Sequence, residues 1–260
     1  MKRILALLLC VLLLTGCTGP REPEKKQYTA TFLTLFDTVT SIVGRAESEQ
    51  AHMDTAQAIH DELLIYHQLF DIYYEYSGVN NLKTINKNAG IAPVKVDAKL
   101  IEFLLYCKEI YTLTGGETNV AMGSVLKLWH DARENATNDP QNAAIPSSDA
   151  LAEAAKHTNI NDLVIDEENG TVYLADSQMR LDVGAIGKGY AAEKAAQLLI
   201  SRGVTSYVLN FGGNIRTIGE KVSGNGWVTG ITNPDRASSE SFVCRVSIKD
   251  TSLVTSGDYE

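Results

Sequence analysis

Apolar positions follow three different rhythms along this chain. Residues 4–14 (ILALLLCVLLL) are apolar without interruption, after a basic start at Lys2 and Arg3. A bilayer-spanning helix needs about 20 apolar residues, so the run reads as a secretory signal and not as a permanent anchor. Residues 28–43 (YTATFLTLFDTVTSIV) mix Thr and Val with aromatics, which predicts β structure. Residues 48–73 have helical spacing, and Ala58, Leu63, Tyr66, Leu69 and Phe70 share much of one face. Residues 80–88 are polar and turn-like. Asp97 caps a predicted helix over 98–113, which Gly115-Gly116 ends. A helix is predicted over 123–134, and a short one runs from a cap at Ser147 or Ser148 to His157. Strands at 162–165 and 171–174 are joined by Asn169-Gly170, a strong hairpin signal. A helix over 188–201 stops at Gly203, and strands follow at 207–210, 214–218, 227–231 and 242–248. Interspersed helices and hairpins predict an α+β fold with a mostly antiparallel sheet.

Two further observations bear on location. Leu14-Thr15-Gly16-Cys17 places small residues and a thiol directly after the signal. That order predicts a lipoprotein precursor: residues 1–16 are removed, Cys17 is lipidated, and the protein sits on the outer face of the cell membrane. An ordinary secretory signal with an incidental cysteine is the alternative. Residues 17–27 are polar and read as a flexible tether, leaving 28–260 for the folded domain. The formal net charge of −9 opposes binding to nucleic acid, so a phosphate-bearing ligand must be held by local geometry.

Candidate chemistry concentrates in three glycine loops. Residues 181–190 (LDVGAIGKGY) stand where a strand gives way to a helix, with Lys188 at the helix start. Free N–H groups there favour an anion, although neither GxxxxGK[ST] nor GxGxxG is present. A tight turn without a ligand and a phosphate cradle both fit this spacing. Residues 210–214 (NFGGN) form a second glycine turn, with a β-bulge as the alternative, and 255–259 (TSGDY) form a third. Three such loops suggest a nucleotide-like ligand. The histidines His52, His60, His67, His130 and His157 lack HExxH or CxxC company and read as solvated or capping. No GxSxG supports a serine hydrolase. Trp129, Tyr73, Tyr74 and Tyr76 read as packing residues. Cys107 lies in an apolar helical stretch and reads as a buried inert thiol. Spacing leaves open whether it meets Cys244.

Together these loops resemble the FAD:protein FMN transferases, the ApbE flavin transferases. The resemblance rests on LDVGAIGKGYAAE (181–193), NFGGN (210–214), Trp227 with Ile231 and Pro234, and TSGDYE (255–260). Upstream it rests on Phe36-Asp37-Thr38, Tyr73, NLKTIN (81–86) and GETNVAMGSVL (116–126) followed by Trp129. It implies FAD as substrate, Mg²⁺, transfer of FMN to a Ser or Thr hydroxyl of an extracytoplasmic target, and release of AMP. Implied targets are subunits of Rnf or sodium-translocating NADH:quinone reductase complexes. Implied flavin-nucleotide contacts are Phe36, Tyr73, Glu117, Thr118, Asn119, Asp182 and Lys188, with the Ala185 carbonyl on the metal. The family's Phe-Asp is Thr118-Asn119 here, which replaces a carboxylate by an amide. The family pattern continues beyond Glu260 with further metal ligands, so the sequence is expected to be part of a longer product. An FAD pyrophosphatase and a non-catalytic flavin-binding lipoprotein are the alternatives.

Overall fold

The computed structural model describes residues 24–221 and 224–256. Cys17 and the signal stretch lie outside the described residues, as does most of the third glycine loop.

The largest sheet has five strands in the order β1-β2-β6-β7-β10: β1 (Lys26–Leu35), β2 (Thr38–Ala46), β6 (Ser206–Phe211), β7 (Asn214–Gly219) and β10 (Ser252–Val254). Every ladder in it is antiparallel. The β-rich stretch read as one run is thus two strands, and Phe36-Asp37 turns the chain between them. β1 begins at Lys26, inside the stretch read as a tether. On β2, Thr40, Ile42, Gly44 and Ala46 are buried; on β6, Tyr207, Leu209 and Phe211 are. The register pairs Thr40 with Phe211, Ile42 with Leu209 and Gly44 with Tyr207, so the period-2 pattern of both strands covers one face. Gly44 is required because the Tyr207 ring lies across it, where a Cβ would overlap.

Two helices lie on that face. α1 (Glu49–Phe70) is capped by the Ser48 side chain, which accepts from the Ala51 N–H, and it buries His52, Ala56, Ile59, Leu63, Tyr66, Leu69 and Phe70. α2 (Leu82–Lys87) follows where the polar run suggested only a turn. The Asn81 side chain accepts from the Thr84 N–H, and Leu82 and Ile85 anchor the segment in the core. α3 (Ala98–Leu113) starts at the Asp97 cap as expected. α4 (Gly123–Asn138) runs one turn beyond the predicted end, and α5 (Ser148–Ala154) closes in a 3-10 turn to His157. α6 (Gly187–Ser201) packs its alanine face, Ala191, Ala192, Ala195 and Ala196, against α1 and β7. Small side chains let the helices approach closely. The Arg216 guanidinium on β7 bonds Glu193 on α6 at 2.6 Å, fastening helix to sheet.

The remaining strands form a three-stranded sheet, β3 (Val94–Lys95), β5 (Thr171–Leu174) and β4 (Leu163–Asp166), and a ribbon of β8 (Trp227–Thr232) and β9 (Phe242–Ile248). Gly170 takes φ 62° at the predicted hairpin, and Asn169 bonds Asp166. Mixed helices and antiparallel sheets bear out the α+β expectation. Cys107 is buried and Cys244 exposed, both as free thiols, and burial pushes the Cys107 thiol up. Among the described residues no helix is long and apolar enough to cross a membrane.

Candidate functional site

One end of the five-stranded sheet collects the loops that the sequence singles out. Phe36-Asp37 joins β1 to β2, and Gly212-Gly213 joins β6 to β7. Because β2 pairs with β6, the two tips are neighbours, and the Gly212 N–H donates to the Val39 carbonyl at 3.2 Å. Gly212 has φ 55° and Gly213 φ 88°, which suits a two-residue hairpin whose twist matches its strands. A Cβ on Gly212 would strike the Thr38 side chain. Beyond β10, the Thr255 N–H donates to the Gly213 carbonyl at 3.2 Å. The start of α6 completes the group. The second glycine loop is therefore a close-packed turn, and its contribution to the site is to let the two hairpin tips meet.

Between these loops and the end of α1 lies a cavity of about 800 Å³. Phe36, Tyr73, Asp182 and Lys188 line it, four of the residues expected to contact the nucleotide. His67, Asp71, Tyr76, His130 and Arg133 also line it and were not anticipated. The reading of His52, His67 and His130 as solvated or capping is corrected: His67 and His130 are bonded within the cleft wall, and His52 is fully buried against Tyr207.

The first wall is a turn and a relay. Phe36 and Asp37 both have positive φ, 54° and 52°, a conformation that costs non-glycine residues about 1 kcal/mol or more each. The Phe36 N–H donates to His67 Nδ1 at 3.2 Å. Neutral His67 then carries its proton on Nε2, facing the Tyr76 hydroxyl oxygen at 3.4 Å. The Tyr76 hydroxyl in turn donates to Asp71 Oδ2 at 2.7 Å. Burial first, and then this carboxylate, push the Tyr76 hydroxyl up to about 12. Asp71 Oδ1 accepts from the N–H groups of Tyr73 and Tyr74 at 2.6 and 2.9 Å, ending α1 and turning Tyr73 into the cleft. Partial burial, then the Asp182 carboxylate, raise the Tyr73 hydroxyl.

The second wall carries Asp182. Its Oδ1 accepts from the Gly184 N–H at 2.9 Å, and its Oδ2 faces His130 Nε2 at 3.0 Å. Asn86 holds the preceding residue with both ends of its amide, accepting from the Leu181 N–H at 2.7 Å and donating to the Leu181 carbonyl at 3.0 Å. The Asp182 N–H donates to the Val120 carbonyl at 2.9 Å. Glu117, Thr118 and Asn119 belong to the loop behind this wall and do not line the cavity. Asn119 uses its amide internally, accepting from the Ala121 N–H at 2.9 Å and donating to the Thr158 carbonyl at 2.8 Å. Glu117 is exposed, and the Thr118 N–H donates to the Thr114 hydroxyl. In this structure the loop's effect on the cleft passes through Val120 and the position of Asp182.

The third wall is the start of α6, where no side chain caps the helix. Of its first amides, Gly187 donates to the Val183 carbonyl. Among the described residues no hydrogen bond uses the Lys188 or Gly189 N–H, so both remain open to an anion. Asp71 and Asp182 are satisfied by neutral donors, whereas Lys188 and Arg133 have no carboxylate within ion-pair distance among the described residues. The cleft therefore holds two cations with no direct carboxylate partner among the described residues, beside the carboxylates of Asp37, Asp71 and Asp182.

The expected Mg²⁺ contact, Ala185, lies on the exposed turn before α6, and no hydrogen bond among the described residues takes its carbonyl. A carbonyl oxygen suits a hard cation. Among the described residues, however, no group of three or more His, Cys, Asp and Glu could hold a metal. One carbonyl does not make a Mg²⁺ shell, so these residues alone do not fit a resident ion.

The sequence profile of the ApbE family matches residues 36–260. An FAD:protein FMN transferase of Treponema pallidum is 29% identical over 98% of this chain and 71% of its own length. A namesake from Klebsiella pneumoniae is 29% identical over 77% of this chain and 61% of its own. The crystal structure of the ApbE protein of Thermotoga maritima superposes with a TM-score of 0.74 at 26% identity, covering 90% of this chain and 72% of that one. The flavin transferase ApbE of Vibrio cholerae shares the fold with a TM-score of 0.73. The chain therefore belongs to the ApbE family, a family of flavin-transferring enzymes.

Proposed function

We propose that this chain transfers the FMN moiety of FAD to a Ser or Thr hydroxyl of an extracytoplasmic target protein and releases AMP. The observation that carries this reading is the pairing of these two cations and open helix amides with aromatic side chains in one cleft. Lys188, Arg133 and the start of α6 suit a diphosphate, while Phe36 and Tyr73 offer faces for the ring systems. The target hydroxyl attacks the phosphorus next to riboflavin; a new P–O bond forms as the bond to AMP breaks, AMP leaves with that electron pair, and the hydroxyl proton is released to solvent. Charge compensation and positioning account for most of such catalysis. The named relatives of Treponema and Klebsiella support the same activity.

Incubation with FAD, Mg²⁺ and a target domain of the Rnf or sodium-translocating NADH:quinone reductase type tests the proposal. Covalent flavin fluorescence on the target is the expected result. Free FMN with AMP would instead mean a pyrophosphatase, and bound, unchanged FAD a carrier. A parallel reaction with chelator tests the Mg²⁺ requirement that the resemblance implies. The proposal also places the protein on the outer face of the membrane through lipid on Cys17. Cys17→Ala should abolish lipidation and release the protein from the membrane fraction; unchanged retention would overturn the anchor.

A further inference from the structure

His130 and Arg133 stand one helical turn apart on α4 and face the cleft together. His130 Nε2 lies 3.0 Å from Asp182 Oδ2, and its Nδ1 lies 3.4 Å from the Arg133 Nη2. Each atom's role follows from the others. Arginine only donates, so Nδ1 accepts and the imidazole proton sits on Nε2, where it donates to Asp182. Asp182 is itself fixed through Gly184, Val120 and Leu181. The chain Asp182–His130–Arg133 thus runs from a nearly buried carboxylate to an exposed guanidinium. The imidazole takes one N–H of that guanidinium, and its remaining donors are left for a ligand. A neutral acceptor also leaves the positive charge of Arg133 uncompensated, as a carboxylate in its place would not.

We propose that Arg133 is an anion contact for the diphosphate of the dinucleotide, and that His130 is the positioning residue that aims it. This rests on the dinucleotide reading above and adds residues that the glycine loops do not contain. A guanidinium fork suits phosphate oxygens better than a point charge does, and holding it beforehand lowers the entropy lost on binding. The contact should therefore discriminate between ligands with a diphosphate and those without one.

The test is equilibrium binding of FAD, ADP and riboflavin to the purified chain and its variants, with no transfer required. Arg133→Gln should weaken FAD and ADP about tenfold and leave riboflavin unchanged. Arg133→Lys, which keeps the charge and loses the fork, should fall between. His130→Ala should reproduce part of the ADP loss. His130→Gln should restore it, since the two ends of an amide can serve Asp182 and Arg133 as the two ring nitrogens do. Wild-type affinity for ADP in Arg133→Gln would overturn the proposal, as would equal loss of ADP and riboflavin. Equal loss in His130→Ala and His130→Gln would overturn the positioning role. A wild-type chain that binds ADP but transfers no flavin leaves the contact standing and removes the transferase reading. A wild-type chain that binds neither FAD nor ADP removes both.

Discussion

The backbone N–H of Phe36 donates to Nδ1 of His67, 3.2 Å away, and the two rings meet edge to face with centroids 5.5 Å apart. The pair joins a hairpin tip to α1 across 31 residues. It also accounts for an unfavourable turn. Two consecutive non-glycine residues with positive φ persist only where the surroundings hold them, and such strain gathers at functional sites. His67→Phe keeps a ring of similar size but removes the acceptor. It should lower stability by about 1–2 kcal/mol, as expected when a hydrogen-bond partner is lost from a partly buried donor. FAD affinity should fall with it, because Phe36 loses its anchor. Urea denaturation and fluorescence titration measure the two effects, and no change in either would mean that the turn holds itself.

Asp37→Gly probes the same turn from the other side. Glycine populates positive φ without steric cost, and Asp-Gly or Asn-Gly is the usual occupant of such hairpins. The exchange should raise stability by about 0.5 kcal/mol, read as a higher denaturation midpoint, if strain is stored there. A lower midpoint would show that Asp37 contributes a contact worth more than the strain it relieves.

Asn86 offers a sharper test of how the cleft is held. Its amide makes both hydrogen bonds to the Leu181 backbone, substituting for a strand partner one residue before Asp182. Asn86→Ala leaves a buried N–H and C=O without partners and should cost about 2–3 kcal/mol. Asn86→Asp keeps the acceptor but sets a carboxylate oxygen against the Leu181 carbonyl, so it should cost at least as much. Calorimetry measures both. A wild-type melting temperature in either variant would mean that the two bonds to Leu181 carry nothing.

Much of this architecture was legible, and the failures share a cause. The buried face of α1, the Asp97 cap and the Asn169-Gly170 hairpin are local signals in local sequence, and the structure repeats them, except that Ala58 is half-buried and Ala56 and Ile59 lie on the buried face instead. The Phe36-Asp37 turn carries only a weak turn signal, because Asp37 tolerates its conformation and Phe36 does not; a histidine 31 positions away supports it. α2 sits in a polar run because its helix comes from the Asn81 cap and two core anchors, and propensity contributes little. Within the site, Phe36, Tyr73, Asp182 and Lys188 were foreseen through motif resemblance. His130 and Arg133 were not, although their spacing of three on a helix put them on one face. Gly187 shows the converse. Its place in a glycine-rich turn suggested close approach to a ligand. In the fold it lines the cavity but is also buried, and a Cβ there would stand 3.2 Å from Phe70 and 3.3 Å from Val183. Gly187→Val should therefore destabilise the protein by about 1–3 kcal/mol through overpacking.

His52 predicts a pH dependence that lies away from the cleft. It is fully buried between the rings of Tyr28 and Tyr207, with centroids at 5.9 and 5.6 Å, and its Nδ1 lies 3.2 Å from the Tyr207 hydroxyl. Burial lowers its pKa, only partly opposed by a backbone contact to Ile42. The unfolded chain therefore binds a proton at a higher pH than the folded one. Stability from this site is complete above about 6.5, the ordinary imidazole value, and declines as pH falls below it towards the folded-state value. Wild type should lose more stability between pH 7.5 and 5.5 than His52→Phe does. Identical pH profiles in urea denaturation would show that the imidazole titrates alike in both states.

Lys188 gives the most direct test of the helix-start anion site. It occupies the first turn of α6, lines the cavity and makes no ion pair among the described residues. Its removal therefore leaves no carboxylate stranded, and Lys188→Ala should change stability by no more than about 0.5 kcal/mol. The same absence of a partner means that its charge is available to a ligand. A charge-assisted hydrogen bond is worth about 1.5–3 kcal/mol, so FAD affinity should fall at least tenfold. Salt gives an independent readout, because added ions screen a charge contact far more than an aromatic one. Wild-type affinity should drop as ionic strength rises, and the Lys188→Ala slope should be shallower. Riboflavin, which has no phosphate, should bind both proteins equally. If riboflavin weakens as much as FAD, Lys188 supports the shape of the cleft and the anion reading of α6 fails.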